Sequence, residues 1–299
     1  MKRKIWKMSL SDAIYSVIVA IIAAFAVAVV TYPLIYVISA SVSDPMDVVN
    51  GNVVFWPKNV SLEAYRKVVT NNNMLIGIRN TVYYSVLGTA INLVLTVMAA
   101  YALSKKDMKG RDFFTIMITF TMFFSGGMIP TYLNLKDLDL LNTTWALVLP
   151  GAIGATNMLI VRNYFMNSIP GELCDAAEID GCSLLSTLVK IILPLSKPII
   201  AVIFIYYFAG HWNSYFSALL YIMDRDKYPL QVFLREILLI NQMSTLGETN
   251  ALGDTAAQNL LYESMKYAVI ILSSLPIVAI YPFIQKFFAK GIMIGSIKG

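Results

Sequence analysis

DAAEIDGCSLLSTLVKIILP, residues 175–194, begins acidic and small, turns at a glycine and runs back into an apolar wall. Just upstream, Pro170 suits the first position of a helix, where its missing N–H costs nothing. Glu172 and Asp175 follow in the first turns, where carboxylates complement the helix dipole. Gly181 fits a left-handed helix stop, and Ser183 fits the N-cap of a second helix ending at Pro194. The segment 168–194 therefore reads as a short helix, a glycine turn, and a second helix feeding an apolar stretch. Ala176, Ala177 and Gly181 would let another backbone approach closely. Two readings follow: a well-capped surface loop, or a docking element for a cytoplasmic partner.

The surrounding chain is oily. Of 299 residues 58% are hydrophobic and only 14% charged, and the mean hydropathy is +0.66. A soluble domain carries about 25% charged residues, so this composition calls for lipid as the solvent. Uncharged runs lie at 13–43, 80–104, 113–135, 140–161, 198–223 and 267–285. At about 1.5 Å per residue even the shortest run reaches roughly 28 Å, close to the hydrocarbon thickness of a bilayer. The reading is an all-α integral membrane protein with six transmembrane helices. The run Ile237 to Gly247 is too short to cross. The basic start MKRKIWK resembles a signal peptide, but the apolar stretch Ile14 to Val37 exceeds the roughly 7–15 residues of a signal core, so a retained span is expected.

Six spans put both termini on one side. With that side cytoplasmic, the inner segments 1–12, 104–112, 162–197 and 286–299 hold fourteen of the 23 Lys and Arg residues. The positive-inside rule then gives N-in, C-in. The bias accounts for the net charge of +5 and leaves no basic face for nucleic acid. The expected division is a cytoplasmic N-terminus at 1–12, a six-span domain at 13–289 and a cytoplasmic tail at 290–299. The outer segments 44–78 and 224–265 carry helical pieces at Ser61–Val69 and Pro229–Gln242, read as caps on the outer surface. Cys174 and Cys182 lack metal-site spacing and read as reduced thiols.

Several chemistries are missing. No glycine is followed by lysine, so there is no P-loop and no ATPase of its own. His211 is the sole histidine, which excludes most histidine-based metal sites. No charged residue interrupts a span, so a proton relay lacks members. The third span contains Gly126, Gly127 and Pro130, and the fourth Pro150, Gly151 and Gly154; such breaks are tolerated where backbone is buried in protein or lines a cavity. Polar groups facing lipid are costly, so His211, Trp212, Asn213, Tyr215 and Asn157 are candidates for a solute path. Asn157 and Asn92 read equally as interhelical hydrogen-bond glue, and the aromatic cluster around His211 equally as an interfacial belt.

The segment 175–194 resembles the EAA loop of the membrane subunits of ABC importers. That pattern is EAA, three residues, Gly, nine residues, then I-x-L-P. Ala176, Ala177, Gly181, Ile191, Leu193 and Pro194 match it in register, and Asp175 stands for the glutamate. YALSKKDMKGRDFF (101–114), HWNSYFSALLY (211–221) and PFIQKFFAKGIMIGSIKG (282–299) look like the carbohydrate-uptake branch of these permeases. Length and loop position are similar to the G-type membrane subunit of the maltose importer. The resemblance implies a type I ABC importer permease fold with a cytoplasmic coupling helix, in a bacterial cytoplasmic membrane. It implies a second permease, two cytoplasmic ATPases that use ATP and Mg, and an extracellular binding protein that delivers a carbohydrate; this chain would bind no cofactor and catalyse nothing. Glu172, Asp175, Glu178 and Asp180 would face basic groups on the ATPase. The tail would enter the seam between the two ATPases. Rival readings are an importer permease for a non-sugar solute and a self-contained carrier or channel.

Overall fold

The computed structural model describes residues 10–245 and 256–295. The N-terminal basic segment 1–9 and the last four residues of the tail, both expected to be cytoplasmic, lie outside the described residues. All regular structure among the described residues is helical: α1 (Leu10–Ser41), α2 (Pro45–Val49), α3 (Glu63–Thr70), α4 (Asn72–Ser104), α5 (Arg111–Phe123), α6 (Met128–Asp137), α7 (Thr144–Val148), α8 (Ala155–Ser168), α9 (Gly171–Ile179), α10 (Leu184–Thr187), α11 (Leu193–Leu195), α12 (Lys197–Trp212), α13 (Phe216–Tyr221), α14 (Leu230–Thr245) and α15 (Ala256–Gly295). A π-turn at Leu188–Ile192 joins α10 to α11.

Three helical stretches are each long and apolar enough to cross a bilayer: Ser11–Ser41, Asn72–Ser104 and Met265–Lys286. Two pairs qualify only together. Arg111–Phe123 with Met128–Asp137 bends by 116°, and Leu184–Leu195 with Lys197–Trp212 bends by 87°. Among the described residues this gives three candidate spans, or five if each bent pair counts as one, beside the six expected from sequence. The expected third span breaks at Gly127, whose φ of 86° is left-handed. The expected fourth, 140–161, is divided into α7 and α8 around Pro150 and Gly151, the latter at φ 110°. The expected fifth stops at Trp212 and resumes as α13. A run without charge is tolerated in lipid, but glycine and proline still interrupt its i to i−4 ladder.

The chain forms two compact units, Met1–Thr70 with Ile237–Leu272, and Asn71–Glu236 with Ser273–Gly299. In the first, the C-terminal end of α1 is clasped by the loop that follows. Ser39 Oγ donates to Phe55 O at 2.7 Å, Tyr65 OH donates to Ser41 Oγ at 2.8 Å, and Ser43 Oγ accepts from Lys58 N at 3.0 Å. Ser61 Oγ accepts from Glu63 N at 3.3 Å at the start of α3. Ala40, Val48 and Val53 form the small core beneath.

The second unit is built on α4. Thr81, Ser85, Thr89, Asn92 and Thr96, at helical spacing, are all buried, while Val82, Val86, Val94 and Met98 are exposed. This is the amphipathicity of a membrane helix: polar groups face protein because lipid offers them no partner. Leu230 N donates to buried Thr81 Oγ1 at 2.8 Å and so ties the start of α14 to α4. The core proper joins α4, α8, the π-turn and α12 through Val97, Met158, Val161, Phe165, Leu188, Ile192 and Ile203. Beside α13, Asn142 donates through Nδ2 to Asp224 Oδ2 at 2.9 Å, and Lys227 Nζ donates to the same oxygen at 2.7 Å. These bonds, Lys227 first, hold the Asp224 carboxyl below its ordinary range.

Candidate functional site

The segment singled out by sequence folds as its caps require. Pro170 stands at the N-cap, one place before the helix. Gly181 closes the turn at φ 74°, and Ser183 Oγ accepts from Ser186 N at 3.3 Å to open α10. The loop has an outer and an inner face. Glu172, Asp175, Ala176, Glu178, Asp180 and Gly181 are exposed, as are Leu173, Ile179, Leu184 and Leu185. Ile179 is 87% exposed, a placement that leaves it without packing inside this chain. No ion pair among the described residues engages any of the four carboxylates. On the inner side, Ala177 is buried. Leu188 and Ile192 enter the core, with Cys174 and Leu193 packed against it. Ile191 is half-buried and Pro194 exposed. The loop is an exposed acidic and apolar knob with its root in the helix core, the form of a lever.

The expected solute-path residues do not form one cluster. His211 and Asn92 are joined, with 2.7 Å between Nε2 and Oδ1. Asn92 is 1% exposed, and its Nδ2 donates to Gly151 O at 2.9 Å and Ala152 O at 2.8 Å. Two carbonyls require the NH2 end of the amide, so Oδ1 faces the imidazole and His211 carries its proton on Nε2. The ring lies against Gly88, where an added Cβ would be 2.5 Å from Nε2. A second bridge lies one turn along α4: Thr96 Oγ1 and Tyr207 OH are 2.6 Å apart, and Tyr207 OH accepts from Gly154 N at 3.0 Å. Side chains of α4 and α12 thus satisfy the backbone freed by the break at 149–154. This is how a broken helix survives at membrane depth.

Trp212 is packed within the chain. Its ring is 2% exposed and stacks on Phe208 at 5.7 Å. Its Nε1 donates to Ser273 O at 2.8 Å, so neither face nor N–H is left for a solute. Asn157 is half-buried beside Gly154. Asn213 and Tyr215 are exposed at the break after α12. There Gln231 Nε2 lies 3.5 Å from Asn213 Oδ1, and the Arg235 guanidinium sits 5.0 Å over the Tyr215 ring. Sequence reasoning missed Thr96, Tyr207, Gly88 and Arg235. The i, i+4 stripe of small polar residues on α4 was the available signal for the first of them. No group of His, Cys, Asp or Glu able to hold a metal occurs among the described residues.

Known proteins carry the same pattern. Residues 5–294 match the family described as "Binding-protein-dependent transport system inner membrane component". The chain is 43% identical to protein LplC of Bacillus subtilis (strain 168) over 274 residues, 91% of this chain and 90% of that one. It is 42% identical to the polygalacturonan/rhamnogalacturonan transport system permease protein YtcP of the same organism, over 89% and 92% of the two chains. Among solved structures, it is similar to a chain of a bacterial ABC transporter involved in the import of the acidic polysaccharide alginate. That likeness has a TM-score of 0.84 at 34% identity, over 94% of this chain and 99% of that one. With its all-helical spans and rooted loop, the chain belongs to the inner membrane components of binding-protein-dependent transport systems, the permease subunits of ABC importers.

Proposed function

We propose that this chain is one of two permeases of an ATP-driven importer that moves a sugar or oligosaccharide delivered by an external binding protein. Six crossings with both termini inside fit the charge bias; the fourth would be α7, the turn at 149–154 and α8 taken together. ATP and Mg would be handled by two separate cytoplasmic ATPases, since the sequence has no P-loop. The observation that carries the coupling role is the knob at 171–187, with its four carboxylates in no ion pair among the described residues and its root at Leu188 and Ile192 in the core. Closure of the ATPases would move such a rooted element as one body. It shifts the permease between inward- and outward-open states only through differential binding to them. The sugar assignment draws support from relatives such as the polygalacturonan/rhamnogalacturonan permease and an arabinooligosaccharide permease. Asn157, Asn213 and Tyr215 are the side chains proposed along the path, with His211 bracing its wall.

The test of function is oligosaccharide uptake by proteoliposomes holding the assembled importer and its binding protein. Uptake is expected only with ATP on the coupling-loop side; uptake without ATP or ATPase would favour a self-contained carrier. Orientation has its own readout, because both cysteines of the chain are free, Cys174 within α9 and Cys182 just after it. A membrane-impermeant maleimide is expected to label Cys182 in inverted vesicles and to leave intact protoplasts unlabelled, with Cys182→Ser as the control. Labelling from outside would reverse the topology.

A further inference from the structure

The outer-end cluster on α14 and the α12–α13 break has a feature that the import reading leaves unused. Arg235 is exposed and held 5.0 Å over the Tyr215 ring. Two carboxylates of these segments are already committed: Glu236 Oε2 accepts from Arg225 Nη2 at 2.6 Å, and Asp224 Oδ2 accepts from Lys227 and Asn142. Among the described residues no ion pair includes Arg235. An aromatic ring under a guanidinium restricts it without neutralising it, which leaves a preorganised fork for one carboxylate. Gln231 lies one turn earlier on the same helix face and reaches Asn213. Two amides and a phenol beside one cation supply neutral donors and acceptors for hydroxyl groups. A lipid headgroup site reads differently, as four or more clustered basic residues; here Arg225 and Lys227 are both paired. The cluster stands at the end of the 16-residue α12 remote from the coupling loop, about 24 Å away along the helix.

We propose that Arg235, over Tyr215 and beside Asn213 and Gln231, reads a carboxylate on the transported oligosaccharide, so that the solute is an acidic, uronate-bearing one. This rests on the reading that the chain carries an oligosaccharide. The experiment uses the whole importer in proteoliposomes with one binding protein throughout. It compares uptake of trigalacturonate with that of its neutral methyl ester, in wild type, Arg235→Gln and Arg235→Lys. The acid-to-ester uptake ratio is expected to fall about tenfold in Arg235→Gln, the size of one charge-assisted hydrogen bond, and to recover partly in Arg235→Lys. Since the binding protein is constant, a changed ratio belongs to the permease. An unchanged ratio, or loss of both solutes in proportion, overturns the proposal, the second outcome marking Arg235 as a docking or structural residue. If neither probe nor the neutral trisaccharide maltotriose enters while ATP is hydrolysed, the oligosaccharide reading fails and the inference falls with it.

Discussion

Replacing Asn92 with leucine is expected to destabilise the permease by roughly 2–5 kcal/mol and to stop transport in any importer that still assembles. The amide makes three bonds, to Gly151 O, Ala152 O and His211 Nε2. A hydrogen bond between membrane helices contributes roughly 0.6–2 kcal/mol, and leucine of similar volume removes all three. Volume loss is excluded as the cause, and what remains is a broken helix with unsatisfied carbonyls. An independent route reaches the same bond. Gly88→Ala places a methyl 2.5 Å from His211 Nε2, so the ring must move off Asn92. Both variants should lower the thermal inactivation midpoint of the purified complex, and Gly154→Ala, whose nearest contact is 3.3 Å, should do so far less. An unaltered midpoint for Asn92→Leu would show that the bridge does not hold the break.

Gly181→Arg is expected to abolish recovery of an ATPase with the permease while leaving membrane insertion intact. The residue sits at φ 74°, where an L side chain costs about 1–2 kcal/mol. An added Cβ meets nothing within 4 Å, so no clash adds to that cost. The total is small beside the stability of a folded domain, roughly 5–15 kcal/mol. The fold therefore tolerates the change, and loss of the partner must come from the knob's altered turn and from a bulky cation placed among Glu178, Asp180 and the exposed Ile179. Gly181→Ala carries the same backbone strain without the bulk or charge. It separates the two causes: weak loss with alanine and complete loss with arginine assigns the effect to the docking face.

The loop at 168–194 was legible because its signals are local. A proline, a glycine and a serine at fixed offsets specify caps, and caps are short-range chemistry. The spans were less so. Absence of charge reports where lipid is tolerated, and it placed α1 and α4 well. Continuity depends on backbone, and Gly127, Pro150 and Gly151, which the sequence offers as breakers, divide runs that the absence of charge reads as whole. The reason such breaks persist lies elsewhere in the chain, in Asn92 and Tyr207, 53 to 60 positions away from the carbonyls and amide they satisfy, with Thr96 holding the Tyr207 hydroxyl. Trp212 shows the same limit from the other side. Its place in a polar cluster made it a candidate for a solute path, but helix rotation decides which way an indole points, and rotation is set by partners such as Phe208 and Ser273.

The most direct measurement of the central claim is co-purification of this permease from its native membranes, wild type against Gly181→Arg, with the bound cytoplasmic proteins identified and their ATP hydrolysis assayed. Wild type is expected to bring down an ATP-hydrolysing partner, and the variant to reach the membrane in equal amount without it. Recovery of the ATPase by both would move the coupling contact away from residues 171–187. A wild-type permease that purifies with no ATPase, yet moves solute without ATP, would contradict the account.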